Sequence, residues 1–317
     1  MLTKILRCLW LSALVFAAST ASAGQAPADG YRVRTVVVPG ADSTTFWDIN
    51  DRGQIVGDAA LGAVTRPFVF EHNAFRFLDI PFGGTSAWAA GISNDGLIVG
   101  TVFDDVGGST GYLFDGSAYM PLNLPGGTNS IVRRISSDGR YVTGYADTAE
   151  VAVQGFVLDR NSNQYTLIDT LDPLSVVQGV TNGGVAVGSV RGSAPGVPIH
   201  AFTFDSASGQ IDYPTVGSFL SPRFRDINDS GFIAGFDLPT GTAFVFRNGD
   251  VLQTLSVGDG VTFAYGINNF NRIVGYYELE SGQVAAFLAA PVPEPAAWLM
   301  LALGLLTLVA FKARRAR

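Results

Sequence analysis

The sequence predicts an all-β body, and three observations carry that expectation. One motif recurs six times in phase, short Val/Ile/Phe/Tyr/Thr-rich runs alternate with Asn/Asp/Gly turns, and no helical periodicity competes between residues 31 and 290. The clearest copy is Ile92-Ser-Asn-Asp-Gly-Leu-Ile-Val-Gly100, matched by segments that end at Gly57, Gly144, Gly188, Gly235 and Gly275. Successive final glycines are 43, 44, 44, 47 and 40 residues apart, and the third copy carries one extra residue before its glycine. A unit of about 44 residues holds four strands of about 5–6 residues with short turns. That is one propeller blade.

Each strand follows from the lines of the repeat. An apolar residue, a polar tetrad and a strand ending in glycine make the first hairpin, because Asn, Asp and Gly tolerate left-handed backbone. A second line reads Pro67-Phe-Val-Phe70, Gly111-Tyr-Leu-Phe114, Gly155-Phe-Val-Leu158, Ala201-Phe-Thr-Phe204, Ala243-Phe-Val-Phe246 and Ala285-Ala-Phe-Leu288. A third gives strands that often end in Pro or Gly, such as Phe77-Leu-Asp-Ile-Pro81 and Leu122-Asn-Leu-Pro125. The first member of that line, near Thr35 to Val38, lacks earlier partners, and the last Phe strand lacks a successor. The N-terminal strand is therefore expected to complete the last blade and close a six-bladed β-propeller. A solenoid is the rival, but it needs caps rather than a displaced strand.

The ends set the address. Lys4 and Arg7, an apolar run from Cys8 to Ala18, and the small residues Ala21 and Ala23 before Gly24 have the order of a cleavable signal peptide over 1–23. Cys8, the chain's one cysteine, would leave with it, which excludes disulfides and thiol chemistry from the mature domain 24–290. At the other end Val292-Pro293-Glu294-Pro295 precedes an apolar run, 296–311, and a basic tail, 312–317. Sixteen helical residues cover about 24 Å, slightly short of the hydrocarbon core of a bilayer. The terminal cations would stay cytoplasmic, leaving the body outside.

That three-part end resembles the PEP-CTERM sorting signal. The resemblance implies export through the Sec machinery, transient anchoring in the inner membrane of a Gram-negative bacterium, and recognition of Pro293, Glu294 and Pro295 by an exosortase-type sorting protease. Delivery would be to the surface or outside, in bacteria that make exopolysaccharide. The repeats themselves, with Ala-Phe strands, His200-Ala201-Phe202 and Ile-Asn-x-x-Gly-x-Ile-Val-Gly, resemble the extracellular HAF repeats. That family implies architecture and location rather than chemistry.

Without both ends the domain keeps 14 cations against 26 acids, a net charge near −12. Nucleic acid is therefore not an expected partner, since phosphate contacts need clustered cations. Exopolysaccharide or surface proteins remain as partners, and no cofactor is expected.

Departures from a repeat mark where a site can form. The two positions before the turn-strand Ile/Val vary most, and their charged members are Asp48, Arg133, Arg134, Arg225 and Asp226. These are the candidate ligand-binding residues of a channel mouth, with structural ion pairs as the alternative reading. Asp226, Asn228, Ser230 and Asp237 copy part of a calcium loop, but Arg52 stands where the equivalent turn would need a ligand, and the flanks are strands. Catalysis has little support: His72 and His200 hold no metal spacing, and no Gly-x-Ser-x-Gly elbow opens a helix. Trp47 and Trp88 are expected in the core, and Asp104-Asp105 in a solvated loop, 101–110. The expected function is a non-catalytic binding or structural component of the biofilm matrix. The alternative is a polysaccharide hydrolase or lyase, for which Asp48 and Asp226 could supply a carboxylate pair.

Overall fold

The computed structural model describes residues 30–170, 174–190, 199–258, 260–279 and 281–292. The expected signal peptide and C-terminal helix lie outside them. Among the described residues the body is all-β, with one 3-10 turn at Pro81–Gly83. No helix there is long and apolar enough to cross a membrane.

The N-terminal strand β1 spans Tyr31–Val36. The first unit follows as β2 (Ser43–Ile49), β3 (Ile55–Leu61), β4 (Val64–Glu71) and β5 (Ala74–Phe77). The second is β6 (Ser86–Ile92), β7 (Ile98–Phe103), β8 (Ser109–Phe114) and β9 (Tyr119–Pro121). The third is β10 (Thr128–Ile135), β11 (Tyr141–Asp147), β12 (Gln154–Asp159) and β13 (Gln164–Leu167). The fourth is β14 (Ser175–Val180), β15 (Val185–Val190), β16 (His200–Asp205) and β17 (Ile211–Asp212). The fifth is β18 (Pro222–Ile227), β19 (Ile233–Asp237), β20 (Thr242–Arg247) and β21 (Asp250–Leu255). The last begins with β22 (Thr262–Ile267), β23 (Ile273–Glu278) and β24 (Val284–Pro291).

Each unit is an antiparallel meander, and β1 supplies the fourth strand of the last one. It pairs antiparallel with β24 from Tyr31↔Pro291 to Val36↔Ala286. The strand starts earlier than the Thr35–Val38 line of the repeat suggested, because Tyr31 also finds an apolar place beside Val257 and Phe287. One parallel pairing, Ser43↔Val284, joins the first and last units into a single eight-stranded sheet. The leading strands also touch in sequence, β2 to β6, β10, β14, β18 and β22, and β22 touches β2.

The core lies between units. Val56 and Val69 of the first pack against Ala87, Ile98 and Tyr112 of the second, and Val99 and Leu113 of the second meet Val132 and Phe156 of the third. Between last and first, Val274 and Ala286 pack with Phe46 and Phe68. The final glycine of each turn strand has a packing reason. Gly100 pairs with Tyr112, whose ring would stand 2.6 Å from a Cβ at residue 100. The same pairing joins Gly57 to Phe68 and Gly144 to Phe156. In the last unit Gly275 faces Phe287 rather than Ala286. The Phe line there therefore reads Ala286-Phe-Leu-Ala289, one residue later than simple spacing aligned it.

The turns follow the expected chemistry. Asn50 Oδ1 accepts from the backbone N–H of Arg52 and Gln54, and Gly53 takes φ 82°. Where the last copy has no glycine, Asn271 adopts φ 56° instead. The loop holding Asp104 is shorter than expected, since β7 continues to Phe103 and β8 begins at Ser109. Asp104 Oδ1 closes it by accepting from the N–H of Val106 and Gly108.

Candidate binding site

Every leading strand carries an irregularity at the same place. Pairing skips Trp47, Ala90, Arg133, Gln178, Arg225 and Tyr265. Strict alternation would send consecutive side chains to opposite faces, and an inserted residue breaks it. The skipped residue and its successor can then both turn inward, and the contacts of Trp47, Arg133, Arg225 and Tyr265, and of Asp48, Arg134 and Asp226, across the leading strands show that these do.

The successors read Asp48, Gly91, Arg134, Gly179, Asp226 and Gly266. Charge alternates with glycine, and each glycine lies under the backbone of the next charged residue. A Cβ on Gly91 would stand 3.0 Å from the Cα of Arg134, one on Gly179 2.6 Å from that of Asp226, and one on Gly266 2.8 Å from that of Asp48. Three side chains thus fill a space that six could not share.

Arg134 crosses this space. Its Nη1 donates to the carbonyl of Trp47 at 3.0 Å and of Ala90 at 2.5 Å, and its Nη2 donates to the carbonyl of Tyr265. Its Nε lies 3.2 Å from Asp226 Oδ1, and Nη1 lies 3.8 Å from Asp48 Oδ1. The carboxylates are occupied on their other sides. Asp48 accepts from the N–H of Ile49 and Ile92, both at 2.8 Å, and Asp226 accepts from Ile267 N–H at 2.9 Å. All three side chains are buried. Burial raises both carboxyl pKa values and Arg134 opposes the rise. One guanidinium can neutralise one carboxylate, so the second is the natural holder of a proton.

On the turn side the second residue of each polar tetrad closes a second layer. Asp51 and Asn94 exchange hydrogen bonds, and Asn269 donates to Asp51 and Asp229. Asn182 donates to Asp229 and Ser137, while the N–H of Asn94 donates to the carbonyl of Ser137. A cavity of about 30 Å3 separates this ring from Arg134, enough for a water molecule. Sequence reasoning missed the ring, although its signal was present as a polar residue at the same place in all six turns.

On the side away from the turns lie the skipped residues. Arg133 sits 5.3 Å from the Trp88 ring and 5.5 Å from the Tyr145 ring, and donates to the Tyr145 hydroxyl at 3.0 Å. Arg225 lies 4.8 Å from both Phe236 and Tyr265. Trp47 meets Tyr265 edge-on at 4.6 Å and Trp88 at 5.9 Å. Trp47 and Trp88 are half-buried rather than core, because the inserted residue directs Trp47 inward and Trp88 stacks on it. The indole N–H of Trp47 donates to Asp58, whose carboxyl burial pushes up to about 7.

The five candidates therefore separate into a buried cluster, Asp48–Arg134–Asp226, and two guanidiniums one layer away, Arg133 and Arg225. The calcium-loop residues are dispersed over local roles. Asn228 caps its own turn, accepting from Ser230 and Phe232, and Asp237 accepts from Ser221 and Thr240. Among the described residues no three His, Cys, Asp or Glu gather as a metal-binding group. His72 opens the turn between β4 and β5, with φ 50°, rather than ending a strand, and His200 is the first residue of β16, in a separate unit.

Residues 291–315 match the PEP-CTERM protein-sorting motif. That motif implies an exported protein sorted to the cell envelope and recognised by exosortase-type processing machinery. No curated protein is significantly similar to the chain. Among solved structures, a catalytically inactive virginiamycin B lyase from Staphylococcus aureus is 11% identical, with TM-score 0.48 over 81% of this chain and 99% of that one. TolB from Acinetobacter baumannii is 14% identical, with TM-score 0.49 over 80% and 65%. The β-propeller domain of the Trilobed protease from Pyrococcus furiosus is 11% identical, with TM-score 0.48 over 78% and 94%. Similarity at these levels carries nothing about this chain's chemistry.

Proposed function

We propose that the chain is an exported, surface-sorted, non-catalytic binding component of the extracellular polysaccharide layer, built as a closed six-bladed propeller of HAF-type repeats. The observation that carries the non-catalytic reading is the occupation of Asp48 and Asp226. Their oxygens accept from backbone N–H groups and face Arg134, so neither is free to protonate a glycosidic oxygen or activate water. Asp58 is likewise committed, to the Trp47 indole. A hydrolase or lyase would need a carboxylate or base with an uncommitted oxygen at the channel, and no specific contact favours that reading.

In this account residues 1–23 direct Sec export, 24–290 form the binding body, and 291–317 hold the chain in the inner membrane of a Gram-negative cell until the sorting protease acts. Arg133 and Arg225 are the ligand-facing members of the candidate set, while Asp48, Arg134 and Asp226 brace the channel. Half-buried Trp47 and Trp88 beside cations suit a sugar-binding wall. The test is retention of polysaccharide purified from the producing organism on the immobilised full chain. Retention that weakens in Trp88→Ala supports the reading. No retention contradicts it and redirects the search to a surface-protein partner.

A further inference from the structure

Three consecutive units place Arg133, Gln178 and Arg225 at the inserted position. Arg133 Nε, Gln178 Nε2 and Arg225 Nε are all buried without a hydrogen-bond partner. Gln178 is 4% and Arg225 8% exposed, so solvent satisfies these groups poorly. Among the described residues no carboxylate pairs with Arg133 or Arg225. That is unexpected in a domain whose net charge is near −12. Burial lowers the Arg225 pKa and Arg133 adds to the effect, as two nearby cations without a counter-charge require. Unsatisfied buried donors and unpaired cations are costly, and an arriving anion relieves both costs.

Aromatic rings flank the guanidiniums directly, Trp88 beside Arg133 and Tyr265 beside Arg225. Trp88, Trp47, Tyr265 and Tyr276 form an unbroken series, with Tyr265 and Tyr276 stacked at 5.4 Å. Arg134 closes the floor beneath. The chain has no lysine between Lys4 and Lys312, so the cations here are guanidiniums, which stack on rings and offer a planar fork to a carboxylate.

We propose that this face of the channel is a hexuronate site: Arg133 and Arg225 hold the sugar carboxylate, Gln178 donates to the same anion, and Trp47 and Trp88 carry the apolar face of the ring. The inference rests on the glycan-binding reading above and assigns it an acidic sugar. Asp58 is a positioning residue, fixing the Trp47 indole.

The test is calorimetric titration of the full chain in neutral detergent with tri-galacturonate, with its methyl ester and with sodium acetate. Tri-galacturonate is expected to bind, and the ester to bind about tenfold or more weaker. Acetate is expected to displace it only at about hundredfold excess or more, which separates a uronate site from a simple carboxylate site. Arg133→Gln, at a half-buried position, should weaken tri-galacturonate about tenfold with an unchanged unfolding midpoint. Arg225→Gln should do the same, but it removes a buried group, so Arg133→Gln decides if that variant fails to fold. Equal affinity for the ester, equal affinity for acetate, no binding of tri-galacturonate, or an unaffected Arg133→Gln would each overturn the assignment. Host polysaccharide still retained in full by Arg133→Gln would remove this site while leaving the binding function standing. Failure of the unmodified chain to retain that polysaccharide would instead remove the function on which the site rests.

Discussion

Gly266 of the last unit lies against Asp48 of the first, so closely that a Cβ at residue 266 would stand 2.8 Å from the Asp48 Cα. The contact joins residues more than two hundred positions apart, and the same relation links Gly179 to Asp226. Gly266→Ala and Gly179→Ala should each destabilise the body by about 1–3 kcal/mol through overpacking against backbone. Gly183→Ala, whose added Cβ would meet only Thr181 Oγ1 at 3.7 Å, should stay within about 0.5 kcal/mol. Urea unfolding of the three variants checks the difference.

Arg134 is the counter-charge of the buried Asp48–Asp226 pair. Arg134→Met should cost about 3–5 kcal/mol, because it strands the charge that the pair carries. Adding Asp48→Asn and Asp226→Asn should recover part of that loss. The single variant should also be less impaired at about pH 4.5 than at about pH 8, since protonation removes the stranded charge. Unfolding free energies at the two pH values measure both effects.

Asp58 keeps its proton up to about pH 7 in the folded chain, whereas an unfolded aspartate loses it near pH 4. Between those values the folded state binds one proton more, so this group's contribution to stability falls as pH rises and levels off above about 7. The slope is about 1.4 kcal/mol per pH unit as an upper figure. Asp58→Asn should flatten the stability profile between about pH 4.5 and about pH 6.5. An unchanged profile would show that burial does not hold the proton.

Asp159 behaves oppositely. The Arg140 fork, with bonds of 3.1 and 2.9 Å, holds its carboxyl down at about 2. Its contribution is present above the ordinary aspartate range and is lost as pH falls towards about 2. An NMR titration should place the midpoint near that value, and Arg140→Gln should return it to the ordinary range.

Much of this was legible in the sequence because a β repeat writes its turns and pleats as composition. Ile-Asn-Asp-Arg-Gly at 49–53 announces a hairpin, and the later Phe68 announces the strand that covers Gly57. The charged positions were also legible as departures from the repeat. Their division was not, because the inserted residue that turns both Trp47 and Asp48 inward has no compositional signature. Gln178 was not among the candidates for the same reason: its meaning lies in a buried, unsatisfied Nε2 at the inserted position of the unit between those of Arg133 and Arg225, which sequence cannot reveal. The shift from Ala286 to Phe287 shows the limit of spacing, since register follows which side chain fills the core.

The sorting motif makes its own prediction. Replacing Pro293, Glu294 and Pro295 by alanine should leave the C-terminal tail on the exported protein, readable as intact mass, whereas the unmodified chain should be shortened in cells carrying the sorting protease.

The most direct measurement is the length of the host polysaccharide after incubation with the full chain, followed together with the amount retained. Retention with unchanged polymer length is expected, and the same length with Asp48→Asn/Asp226→Asn. Progressive shortening that disappears in that double variant would contradict a non-catalytic role, since the two carboxylates would then be catalytic rather than a brace for the channel.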